Sequence, residues 1–289
     1  MKSLFRVALI SGAALVALTP ALATHSWGNY HWARTANPLT LKINEALTSN
    51  WEPYLQVAMN DWATSTVLDF SPTTAAPSSA SPKQCNPISG QVLVCNASYG
   101  QRGWLGIASI WANGDHITQG TTKLNDTYFN MARYNTDAWR QMVTCQEIGH
   151  DFGLDHQDTN FSNTNLGTCM DYTNAPGGGL YNGVNYGPSN EHPNTHDYEQ
   201  LVTIYTHLDS TNTAKGSSAP TNFGLREVGK APPQQSGDQG VGDTMADWGR
   251  AVAYDGKGRP DTFVRELADG RRVITHVLWA PDAKGTEAN

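Results

Sequence analysis

The sequence predicts an α+β domain carrying a small β appendage at its C-terminal end. Three patterns carry that expectation. Short apolar and β-branched runs at 39–43, 67–70, 91–95, 104–111 and 117–124 have the texture of sheet strands. Helical periodicity at 51–64, 137–152 and 195–208 falls between and after them. Strand texture returns at 251–279, beyond a polar stretch with no periodicity at all. At 289 residues the chain is one large domain or two unequal ones, and it can bury a core without relying on cross-links.

Each element has a local reason. Leu39-Thr40-Leu41-Lys42-Ile43 alternates as a half-buried strand does. Asn50 is placed to cap a helix from Trp51 to about Thr64, with Pro53 tolerated in its first turn and Tyr54, Leu55, Ala58 and Trp62 on its buried face. Val67 to Phe70 reads as the next strand, followed by a Pro/Ser/Thr/Ala loop over 71–84. Gln91–Cys95, Trp104–Trp111 and Ile117–Leu124 are strands, the last two joined by a turn at Asn113-Gly114-Asp115. Asn135 or Thr136 caps the strongest helix, Asp137 to about Phe152. Residues 173–195 read as loop, and Thr195 is placed to cap a last helix. Residues 210–243 are expected to be a linker, and 244–289 a small β-module or an appendage to the main domain, with turns at Asp255-Gly256 and Asp269-Gly270.

The chain begins with Lys2 and Arg6, an apolar run from Val7 to Leu18 and an Ala21-Leu22-Ala23 site, so residues 1–23 are expected to be a signal peptide cut after Ala23. Removing it takes the formal net charge from −7 to −9. An acidic chain lacks the basic face that a nucleic-acid partner requires. No later stretch is apolar enough to span a bilayer. The reading is therefore of a secreted protein and a monomer.

Four cysteines in an exported chain suggest two bridges, with three pairings open on paper. Cys85 and Cys95 bracket a Pro/Gly loop and form the natural first pair, which leaves Cys145 with Cys169. Cys145 lies well round the helix from 150, so a bridge is favoured over metal ligation there.

The chemistry lies in Gln146-Glu147-Ile148-Gly149-His150-Asp151-Phe152-Gly153-Leu154-Asp155-His156. Helical residues four apart project to one place, so 146 and 150 face a common point and Glu147 stands beside it. Gly153 can end the helix at positive φ and return the chain so that His156 reaches the same point. Two imidazoles, a third ligand and an adjacent carboxylate describe a catalytic metal site. Glu147 would act as general base.

This stretch resembles the metzincin zinc endopeptidases, whose pattern is H-E-x-x-H-x-x-G-x-x-H followed by a Met-turn. The match is at Glu147, His150, Gly153 and His156, with Gly167-Thr168-Cys169-Met170-Asp171-Tyr172 similar to the Met-turn. The resemblance covers roughly residues 36–209. It implies a metzincin-like zincin domain with a twisted mixed sheet, active-site helix, Met-turn and C-terminal helix. It also implies Zn2+ held by His150 and His156, Met170 beneath the metal, Tyr172 assisting the oxyanion, and a polypeptide substrate lying along an exposed sheet edge. Gly106 to Ile110 falls where the family places that edge, and a plain core strand is the equal alternative.

Position 146 departs from the pattern, with Gln where the family has its first His. Three arrangements follow. Gln146 ligates through its amide oxygen, a weaker donor to zinc than imidazole. Alternatively water or another side chain, such as Asp158, His192 or His196, fills the gap. In the third, the metal is lost and the fold is kept for binding. The two functions in play are a secreted zinc endopeptidase and a weak or inactive metzincin-fold binding protein.

Overall fold

A computed structural model of the protein describes residues 25–75, 81–214 and 239–283. The expected signal peptide and residues 215–238 of the expected linker lie outside the described residues.

The alternating runs become strands and the periodic runs become helices. In chain order these are β1 (His31–Trp32), β2 (Leu39–Ala46), α1 (Glu52–Trp62), β3 (Leu68–Ala75), β4 (Val92–Ala97), β5 (Trp104–Asn113) and β6 (His116–Asn125). Then follow α2 (Asp126–Phe129), α3 (Asp137–His150), the short hairpin β7 (Leu180–Tyr181) and β8 (Val184–Asn185), and α4 (Thr195–Ile204). The tail supplies α5 (Met245–Trp248), β9 (Arg250–Tyr254), β10 (Pro260–Glu266) and β11 (Arg272–Trp279). The fold is a mixed α+β arrangement. Among the described residues, no helix is long and apolar enough to cross a membrane.

Two expected caps move by one residue. Trp51, not Asn50, precedes α1 and makes no side-chain capping bond; its indole instead donates to Asp126. Asn194, not Thr195, caps α4, because its side chain accepts from the backbone of His196 and Asp197 while Asp197 reaches back to the Asn194 N–H. That reciprocal box satisfies donors that Thr195 would leave open. Thr136 caps α3 by accepting from Trp139 N–H.

One sheet runs in the order β3-β2-β4-β6-β5-β11-β10-β9, with β1 paired to β6 as well. β2, β3, β4 and β6 are mutually parallel, whereas β5 is antiparallel to β6. The tail extends this same sheet: β11 pairs along β5 from Arg272↔Ala112 to Trp279↔Trp104. The edge of β5 is therefore covered.

Burial on both faces explains the apolar density of β5 and β11. Ile110, Ala112, Ile274 and Leu278 join the main core with α1 and α3, whereas Trp111, Ile107, Val273 and Val277 join a second cluster with Trp104, Trp248, Phe263 and Trp279. Cys85–Cys95 and Cys145–Cys169 are disulfides. The second ties α3 to the 167–172 turn. Closing a loop of 24 residues contributes on the order of 3 kcal/mol.

Candidate metal site

The site assembles at the C-terminal end of α3. Gly153 adopts φ +96°, and its backbone lies so close to Tyr30 that a β-carbon would sit 2.2 Å from the Tyr30 carbonyl oxygen. Glycine alone allows that reversal, and it returns the chain to bring His156 beside His150, with ring centroids 4.6 Å apart. The reversal expected from the sequence is present.

A third imidazole comes from the tail. His276 on β11 places its ring 4.0 Å from that of His150 and 4.4 Å from that of His156. One nitrogen from each of the three rings falls within 4.8 Å of the others. Nδ1 of His150 is engaged by the Leu154 carbonyl at 2.8 Å, leaving Nε2 facing inward without a partner. Nε2 of His156 is likewise buried and unpartnered. Oε1 of Glu147 shares that condition, while its Oε2 lies 3.5 Å from Nδ1 of His276. Buried polar atoms are rarely left orphaned. Two unpaired imidazole nitrogens converging with a third ring make a donor set that a metal ion satisfies, so the cluster fits a metal.

The electrostatics agree. Burial, then the neighbouring His156, pushes His150 down to about 3. Burial, then His150 and His156, holds His276 well below the ordinary imidazole value. Neutral rings are the ligating form. Burial and the nearby Asp151 push Glu147 well above the usual carboxylate range, against a backbone hydrogen bond from Ala108.

The other expected site residues lie around this cluster. Nε2 of Gln146 donates to the carbonyl of Cys169 at 2.8 Å, and its Oε1 is buried without a partner. Met170 packs against α3, where a β-carbon on Gly149 would meet its Sδ at 2.7 Å. The Tyr172 hydroxyl lies 2.8 Å from Nε2 of His276 and donates to Asp261 at 3.2 Å. None of the alternative ligands weighed for position 146 joins the cluster. His192 pairs with Asp61, His196 stands by His25, and Asp158 accepts from Asn163.

The sequence reading missed His276 and Trp27. Trp27 places its ring 5.4 Å from His150 and 6.4 Å from His276, covering them from the N-terminal segment. The only signal for His276 was a polar ring inside the apolar run Val273-Ile274-Thr275-His276-Val277-Leu278. The site is closed: Glu147 and His150 are fully buried, and His276 and Tyr172 are each 1% exposed.

Comparison with known proteins gives no assignment, since neither a protein-family model nor a curated protein matches this chain.

Proposed function

We propose that the chain is a secreted zinc-dependent endopeptidase of the metzincin kind, held here in a closed form. The observation that carries this reading is the convergence of three imidazoles on one point beside the Glu147 carboxyl. The match of Glu147, His150, Gly153, His156 and Met170 to the metzincin pattern supports the same reading. Two disulfides and the apolar run from Val7 to Leu18 support export.

His150, His156 and His276 would hold the ion in the closed form. A bound zinc ion polarises a carbonyl and makes water acidic near neutral pH. Glu147 accepts the proton and returns it to the leaving amine. Tyr172 offers its hydroxyl to the oxyanion. β5 holds the polypeptide as an added strand, through backbone bonds that β11 satisfies in the closed form. Cleavage therefore requires β11 to come away. His276 leaves with it, and on this reading Gln146, one turn before His150 with a buried and unpartnered Oε1, supplies the third donor.

The burial of the cluster and the seating of β11 favour a second reading, a metal-binding protein without catalysis. Zinc analysis together with hydrolysis of an unfolded polypeptide separates the two. On the first reading Glu147→Gln keeps zinc and abolishes hydrolysis, a chelator does the same to wild type, and His276→Ala raises hydrolysis. No hydrolysis by wild type or by His276→Ala, with zinc bound by wild type, would establish the second.

A further inference from the structure

We propose that His31, His207 and Asp209, flanked by His116, form a second metal site, for a divalent transition ion such as zinc, that fastens the N-terminal segment and the end of α4 to the sheet. Three parts of the chain deliver these groups. The register of β1 on β6 sets His31 beside His116, and the chain leaving α4 brings His207 and Asp209 to them. The ring of His31 lies 5.0 Å from that of His116 and 4.9 Å from that of His207.

All three imidazoles aim Nε2 at one oxygen. Oδ1 of Asp209 is 3.3 Å from His116, 3.3 Å from His207 and 3.5 Å from His31. Charge-assisted hydrogen bonds close to about 2.7–2.9 Å. Two donors held at about 2.0–2.1 Å on one tetrahedral ion stand instead about 3.3 Å apart. The spacings to Asp209 are those of ligands sharing one ion, and the ligand atoms of His31, His207 and Asp209 lie within 4.8 Å of one another.

The state of His31 supplies the independent observation. It is 7% exposed, and its Nδ1 meets the Asn29 carbonyl at 2.8 Å, which places the ring hydrogen there. Its buried Nε2 has no hydrogen-bond partner and faces a carboxylate oxygen. A metal ion between Nε2 of His31 and Oδ1 of Asp209 satisfies both atoms. Oδ2 of Asp209 is meanwhile occupied by the Arg34 backbone N–H at 2.9 Å, which turns Oδ1 toward the rings. Two imidazoles and one carboxylate converge as ligands, and His116, with Nε2 3.3 Å from the same carboxylate oxygen, stands beside them as a candidate fourth.

The test is equilibrium dialysis of the full-length chain against zinc chloride. The side chains of His116 and His207 are 40% and 54% exposed, so their joint replacement by alanine is expected to leave the metal-free unfolding midpoint unchanged. That variant should bind one zinc fewer per chain than wild type. Asp209→Asn should weaken the same equivalent at least tenfold, and Asp115→Asn, an exposed neighbour, should leave it unaltered. In a His156→Ala background, which breaks the first cluster, this equivalent should persist, so its fate is independent of the peptidase reading. The proposal is overturned if the His116→Ala/His207→Ala chain binds as much zinc, as tightly, as wild type.

Discussion

His276 on β11 stands directly across from Ala108 on β5. Facing residues on paired antiparallel strands share one side of the sheet, with β-carbons about 4.5–5.5 Å apart. The small side chain at 108 is what leaves room for an imidazole over α3. Ala108→Val should crowd His276, cost roughly 1–3 kcal/mol by overpacking, and weaken zinc binding tenfold or more in a competition titration. Unchanged zinc affinity in a folded variant would remove His276 from the ligand set.

Gly106 lies against the proposed general base. A β-carbon there would meet Oε1 of Glu147 at 2.6 Å and Val143 Cγ1 at 2.8 Å. Gly106→Ala should therefore displace the carboxylate while leaving the imidazoles in place. The expected result is a loss of hydrolysis of at least about a hundredfold, with the zinc content of wild type. Full activity in this variant would argue that Glu147 takes no proton.

Gly153→Ala meets both an unfavourable φ of +96° and the Tyr30 carbonyl. The conformational cost alone is about 1–2 kcal/mol, and the contact adds to it. Urea unfolding should show a loss of at least about 2 kcal/mol, and zinc binding should fall because His156 depends on the turn. A variant as stable as wild type would contradict the geometry given for this reversal.

The end of the tail is tied down by Asp282. It pairs with Arg133 at 2.9 Å and accepts from the Tyr134 hydroxyl. Burial pushes its carboxyl up, but Tyr134 and Arg133 outweigh that and hold it below the ordinary carboxylate value. A depressed folded value adds stability above the unfolded value near 4 and loses it as pH falls through the folded one. The group is half exposed, so its contribution is modest, at most about 1 kcal/mol. Asp282→Asn should be less stable than wild type at pH 7, and the gap should close below about pH 4. A gap that widens in acid would reverse the assignment.

Local chemistry made much of this protein legible in advance. Side-chain alternation marked β2, apolar and β-branched runs around an Asn-Gly-Asp turn marked β5 and β6, a capped periodic stretch marked α3, and the i, i+4 spacing with Gly153 marked a helix that ends in a reversal. Cys85–Cys95 and Cys145–Cys169 followed from loop composition and elimination. These features depend on neighbours within a few turns, which a linear sequence displays. The cap of α4 slipped by a residue because Asn194 and Thr195 each carry a side-chain acceptor, and only the reciprocal bond from Asp197 chooses between them.

What the tertiary structure decided is what closes the site. His276 lies 120 residues from His156 in sequence, and nothing near it marks it as a ligand. The pairing of β11 with β5 makes it one, since a shift of a single residue in that register would turn its ring to the opposite face of the sheet. The same holds for His31, His116, His207 and Asp209, whose meeting depends on β1 finding β6 and on the path taken after α4. Sequence determines which residues can ligate and which backbone can turn. Only long-range strand pairing determines which of them share a point in space.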